Sequence, residues 1–139
     1  MVDLIVTDTI GPEAHRVIDD GLRQFNIATS GIDDWQALGV FAVDADSKKV
    51  LGGLTGRTSL GLLFIDVFFL PEALRGGGLG SRILRMAEDE AARRGCTAAM
   101  LATINFQAPG FYERNGWQVF GEIESKHGIS RVFLTKALT

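Results

Sequence analysis

The sequence predicts a mixed α/β fold, a largely antiparallel sheet with helices on its faces. Three observations carry that prediction. Leu60–Leu70 is an apolar run of the length and composition of a buried strand. Leu79, Ile83, Ala87 and Ala91 recur every four residues, one stripe of an amphipathic helix. Between them stands Arg75-Gly76-Gly77-Gly78-Leu79-Gly80-Ser81, and beyond the helix Thr97–Thr103 reads as a second buried strand. A strand, crossover helix and strand in that order make the two strands parallel neighbours.

The remaining elements follow in chain order. Val2–Val6 reads as a short first strand. Thr9–Glu13 opens a helix, with Pro12 in its first turn and Glu13 near the positive end of the dipole. Val17, Ile18, Leu22 and Phe25 give this helix an apolar face, and the polar stretch Asn26–Asp34 reads as a loop. Trp35–Val43 and Lys49–Thr58 flank the turn Asp44–Ser47 and form a hairpin, which Leu60–Leu70 extends as a third antiparallel strand. The crossover helix, Ser81–Arg94, ends at Gly95, with Arg93 and Arg94 in the last turn, where cations suit the dipole. Gln107–Asn115 is a short helix stopped by Gly116, and Trp117–Ile123 with Arg131–Leu138 closes the chain as a hairpin.

Bulk properties narrow the function. A chain of 139 residues suits one domain, read here as residues 1–139. Its 14 Lys plus Arg against 17 Asp plus Glu give a net charge of −3, which argues against a nucleic-acid binder, since that needs a basic face. Cys96 is the only cysteine, so no intrachain disulfide forms and a reducing, cytoplasmic location is expected. Cys96 itself reads as a small buried hydrophobe. No secretory leader or membrane-length apolar run is visible. His15, His127 and Cys96 lack metal-site spacing, so no metal is expected.

The glycine-rich turn is where chemistry enters. Backbone N–H groups at a helix N-terminus bind phosphate, and glycines admit close approach. A P-loop requires Gly-x-x-x-x-Gly-Lys-Ser/Thr, which the chain lacks; Gly52–Thr58 only imitates it. A dinucleotide fingerprint fails because Ser81 stands at the third glycine position and no acidic residue lies between Gly95 and Tyr112. Arg-x-x-Gly-x-Gly, at Arg75–Gly80, remains, alongside the reading in which the glycines serve turn geometry only.

A second motif decides between them. Asn105-Phe106-Gln107-Ala108-Pro109-Gly110-Phe111-Tyr112-Glu113-Arg114-Asn115-Gly116-Trp117 follows the strand that pairs with the glycine-turn strand. Together the two motifs resemble those of the GNAT superfamily of N-acetyltransferases, closely over Leu60–Leu138 and by topology alone before that. The resemblance implies that the two parallel strands splay and that acetyl-CoA is the co-substrate. Its pantetheine arm would lie along Val67, Phe68, Phe69 and Leu70. Its pyrophosphate would sit on Gly76, Gly77, Gly78, Leu79, Gly80 and Ser81 with Arg75 nearby, and Asn105, Ala108 and Phe111 would lie on the cofactor side.

The same resemblance puts Tyr112 at the family's tyrosine position. A phenol with a pKa of about 10 is protonated at neutral pH and can give a proton to a departing thiolate. The alternative is a helix tyrosine that packs on the sheet. Asp66 is the one charge in its apolar strand and is the candidate base; the alternative is a carboxylate paired with an arginine on the far face. Ala102 stands where similar sequences often carry an acidic residue, so no acceptor-binding role is carried over to it. The expected activity is acetyl transfer to a primary amine, of a small molecule or a peptide, by direct attack in a ternary complex. A non-catalytic CoA-binding or regulatory module is the alternative. Phe133–Leu138 and the phenylalanine-rich centre suggest a homodimer, and neither nucleic acid nor membrane is expected as a partner.

Overall fold

A computed structural model describes residues 1–138. They fall into two compact units, the first Met1–Asp33 and the second beginning at Asp34.

The first unit is one helix and its leader. Helix α1, Pro12–Ser30, starts on proline and ends at Gly31, whose left-handed backbone (φ 75°) directs its N–H to Ile27 O at 2.8 Å. It runs through Asn26, where the sequence suggested a loop. Its stripe Val17, Ile18, Leu22 and Phe25 is exposed. Arg23 and Asp33 form an ion pair at 2.6 Å. The strand expected over Val2–Val6 is not formed, and no helix or strand precedes Pro12. A single short apolar segment has no ladder of its own and becomes a strand only beside a partner edge.

The second unit is a six-stranded sheet. Its strands are β1 Gln36–Val43, β2 Val50–Ser59, β3 Leu62–Phe69, β4 Ala98–Ile104, β5 Gln118–Glu124 and β6 Ser130–Ala137, in spatial order β1-β2-β3-β4-β6-β5. Every pairing is antiparallel except β3 with β4. The expected crossover is therefore present, made by the short 3-10 turn Glu72–Leu74 and helix α2, Leu79–Arg93. Leu60 and Gly61 belong to the turn rather than to β3: both have positive φ (50° and 84°), the two-residue turn whose twist suits an antiparallel hairpin.

One face of the sheet is closed by α2. Ile83, Leu84, Ala87 and Ala91 meet Leu38, Leu54, Leu63, Ile65, Ala99, Leu101 and Leu134 in the core, and Cys96 is buried with them. The apolar period of α2 and the alternation in the strands make these contacts. Arg94, at the helix end, donates to Ala37 O at 3.0 Å and to Thr58 Oγ1 at 3.1 Å, so the crossover is fastened to β1 and β2. The short helix α3, Pro109–Arg114, carries Tyr112 as its one buried residue.

A charged residue lies inside this apolar layer. Glu88 is 6% exposed; it accepts from Trp117 Nε1 at 3.1 Å and pairs with Lys136 Nζ at 2.7 Å. The same ammonium donates to Asn115 O, at the end of α3, at 2.8 Å. Three elements thus meet at one carboxylate. Removing either partner strands a charge in a nearly dry site, so Glu88→Ala and Lys136→Met are each expected to lose about 2–4 kcal/mol of unfolding free energy. Their double variant should lose less than the sum, as measured by urea unfolding.

Candidate functional site

The sheet opens between its two parallel strands. Pairing of β3 with β4 runs from Leu62–Ala98 to Ile65–Leu101 and stops, although β3 continues to Phe69 and β4 to Ile104. A β-bulge coincides with the stop: Thr55 lies opposite Val67 and Gly56 opposite Ile65, which leaves Asp66 as the extra residue. Glycine is required at position 56, because a Cβ there would sit 2.2 Å from Phe64 O. Past the bulge, the side of β3 that faced β4 has no ladder partner. The gap is a cleft of about 680 Å³ between Ile65–Leu70 on one side and Leu101–Ile104 on the other.

The glycine-rich turn lies at the end of this opening. Gly76 and Gly78 both have left-handed backbone (φ 84° and 82°), and Gly78 caps α2 without any side-chain help. The first helical bond is from Arg82 N–H to Gly78 O at 3.1 Å. Among the described residues, the N–H groups of Leu79, Gly80 and Ser81 therefore have no protein acceptor, and no acidic side chain occupies the first turn. Such a helix end is suited to an anion. Arg75 is held beside it: its Nε donates to Leu70 O at 2.8 Å, and its guanidinium lies 5.9 Å from the Phe69 ring centre. A second cavity, of about 490 Å³, lies under the turn, lined by Gly76, Gly78, Gly80 and Ser81 and by Ala108 and Phe111.

Tyr112 stands where the two cavities meet, since it lines both. It is 8% exposed, packed edge-on against Phe68, Phe111 and Trp117. Burial alone pushes its pKa up to about 12, with no hydrogen bond or charge contributing. The phenol is therefore neutral across the ordinary pH range, with its proton free to give.

Asp66 also faces the larger cleft. It is ion-paired with Arg57, whose guanidinium lies 4.6 Å from the Phe64 ring centre. The arginine partner that the sequence left as an alternative is thus present, and Asp66 itself lines the cleft. Of the other sequence-derived positions, Val67, Phe68, Phe69 and Leu70 line the cleft, while Gly77 and Leu79 line neither cavity. Asn105 lines neither as well. Its amide is spent on the β5–β6 turn, donating to Gly128 O at 2.8 Å and accepting from Ser130 N–H at 3.2 Å.

Two cleft residues, neither at a defining motif position, were missed. Gln107 Oε1 accepts from Thr103 Oγ1 and from Ile104 N–H, both at 2.9 Å, which fixes the end of β4. Arg131 enters the cleft from β6, a strand that the sequence marks only by its alternation. Among the described residues no group of three or more His, Cys, Asp or Glu could hold a metal, and no helix is long and apolar enough to cross a membrane.

A splayed parallel pair, a glycine turn with unpaired N–H groups and a buried tyrosine at the junction define a class of acyl-transfer protein, and comparison with known proteins agrees. The chain belongs to the acetyltransferase (GNAT) family, whose profile matches residues 11–117. It is 37% identical over 122 residues to the acetyltransferase Atu2258 of Agrobacterium fabrum, covering 88% of each chain. It is 36% identical over 105 residues to a blasticidin-S acetyltransferase of Streptomyces morookaense, covering 73% of this chain and 77% of that one. A solved structure from Agrobacterium tumefaciens superposes with a TM-score of 0.90 at 36% identity, covering 98% and 99% of the two chains. The fold and family implied by the two motifs are thus established.

The raised pKa of Tyr112 predicts a pH effect on stability. A phenol whose folded pKa lies above its ordinary value of 10 contributes stability that is fully present below pH 10 and is lost as pH climbs toward 12. Urea unfolding at pH 8, 10 and 11 should show the wild type losing more over this range than Tyr112→Phe, by about 1.4 kcal/mol at pH 11.

Proposed function

We propose that the protein transfers the acetyl group of acetyl-CoA to a primary amine of a small molecule or peptide, by direct attack with both substrates bound. The observation that carries this reading is the wall shared by the two cavities: Phe68, Leu70, Arg75, Ala108 and Tyr112 line both. One cavity opens on an anion site and the other on a carboxylate, so Tyr112 lies between a place for the diphosphate carrier and a place for the amine.

The residues suit coenzyme A. The unpaired N–H groups of Leu79–Ser81 would take the pyrophosphate, with Arg75 adding charge at the same end. The freed edge of β3 beyond Asp66 offers amide groups to a pantetheine arm, as a strand partner would. Backbone N–H groups at Val67–Phe69 would polarise the thioester carbonyl. When bound, acetyl-CoA supplies an acyl carbon activated toward attack by a nitrogen nucleophile.

The chain's residues then manage two protons. Asp66, ion-paired with Arg57, orients the acceptor ammonium and takes its proton directly or through water. Tyr112, kept neutral by burial, gives its proton to the sulfur as the carbon–sulfur bond breaks. The nitrogen loses its second proton as the tetrahedral intermediate collapses, which restores the phenol, so the new carbon–nitrogen bond and the released thiol balance the step. No nucleophile of the protein is acylated.

Release of free thiol from acetyl-CoA, followed with a panel of amines, tests the reading. Tyr112→Phe should lower kcat by about 10²-fold and leave the affinity for CoA unchanged within about twofold. Asp66→Asn should lose a similar factor at neutral pH and recover at high pH, where the amine arrives already deprotonated. CoA binding without turnover on any amine would instead mean a non-catalytic CoA-binding module, and no binding at all would overturn the site.

A further inference from the structure

The family leaves the acceptor open, and the charges of the larger cleft narrow it. Three charged residues line that cleft: Asp66, Arg75 and Arg131. Asp66 is neutralised by Arg57, which stands beside it on β2. Arg75 is anchored on Leu70 O at the glycine-turn end, where the diphosphate would lie. Arg131 has no such commitment: among the described residues it makes no salt bridge and no side-chain hydrogen bond. Its neighbours across β6 are Ile104 and Ile123, which offer no charge.

Position gives this guanidinium a reach. Arg131 is paired across the sheet with Ile104, so the two share a face, and Ala102 lies two residues back along that face. Asp66 follows Ile65, the partner of Leu101, and so comes level with Ala102. Asp66 and Arg131 therefore flank the same stretch of β4, one on the parted strand β3 and the other on β6. The floor between them is the small, uncharged Ala102. A carboxylate at one wall and a fork-shaped cation at the other, across an open floor, match a molecule with an amine at one end and an anion at the other.

The net balance points the same way. With Asp66 and Arg57 cancelling and Arg75 assigned to the diphosphate, the acceptor part of the cleft is left positive by Arg131, a lining that disfavours a polycation. We propose that Arg131 determines acceptor specificity by binding a carboxylate, so that the acceptor class is amino carboxylates of several bonds' length rather than polyamines or other polycations. This rests on the transfer reading above, with Asp66 and Tyr112 serving the amine end.

The test pairs ω-amino carboxylates of three to six carbons with their carboxamides, and adds spermidine as a polycation. Thiol release from acetyl-CoA should favour each carboxylate over its carboxamide at least tenfold in kcat/KM, with spermidine poorest. Arg131→Gln should erase that preference through KM, raising it 10- to 100-fold for the carboxylates and less than twofold for the carboxamides. Arg131→Lys should restore part of it, and CoA affinity should not move in either variant. Ligand-observed NMR of the amino carboxylates on CoA-loaded wild type and Arg131→Gln reads the same contact without turnover. Loss of the bound signal only in Arg131→Gln, with no thiol release from any amine, would keep the anchor and sink the transfer reading. Equal turnover of carboxylates and carboxamides, untouched by Arg131→Gln, would keep transfer and overturn the anchor, as would NMR binding that ignores the substitution.

Discussion

The parting of β3 from β4 is the constraint on which the rest of the site depends. A parallel pair continued to its end would satisfy its own backbone and leave no room for a ligand. Here the ladder stops at Ile65 and Leu101, and Asp66 is the residue at which it stops. The extra residue turns a charged side chain into the cleft and leaves the next three residues paired on one side only. The absence of a side chain at position 56 lets β2 approach closely enough to hold that bulge. One local irregularity thus creates the opening, its acidic wall and its unpaired peptide edge together.

Around this opening, rigidity comes from aromatic packing and from one buried charge. Phe68, Phe111, Tyr112 and Trp117 form a chain of edge-on contacts from the parted strand to the turn after α3. Such contacts fix ring planes as well as positions. Trp117 ends the chain on Glu88, whose other partner, Lys136, holds the carbonyl of Asn115, the residue that caps α3. The phenol of Tyr112 is thereby placed in part by Trp117, Glu88 and Lys136, which line neither cavity.

Much of this was legible in the sequence where a strong local period met a physical need. The stripe Ile83, Ala87 and Ala91 is buried as read, and most of the run Leu60–Leu70 forms a strand, Leu62–Phe69; the glycine turn between them could be proposed as an anion site because its chemistry is local. Tyr112 was singled out through a motif. What escaped was long-range. Val2–Val6 has strand composition, but a strand exists only where an edge receives it. Leu60 has the apolar character of β3 but sits in a two-residue turn that its neighbour Gly61 makes easy. Glu88 falls on the buried stripe of α2 and reads as an error until Lys136, 48 residues later, supplies its partner. Arg131 and Gln107 look like ordinary polar residues, because their meaning lies in which strands β4 is placed between, and composition does not state that.

Helix α2 has two duties along one axis. Its first turn offers bare amide hydrogens, and its middle carries the carboxylate to which Trp117 and Lys136 attach. Nine residues separate Leu79 from Glu88, about 14 Å of a single stiff rod. A diphosphate seated at one end of that rod would quieten the whole of it, and with it the tether of the tyrosine's helix. In the proposed reaction, the seat of the carrier's diphosphate and the tether of the tyrosine's helix would thus share one rod.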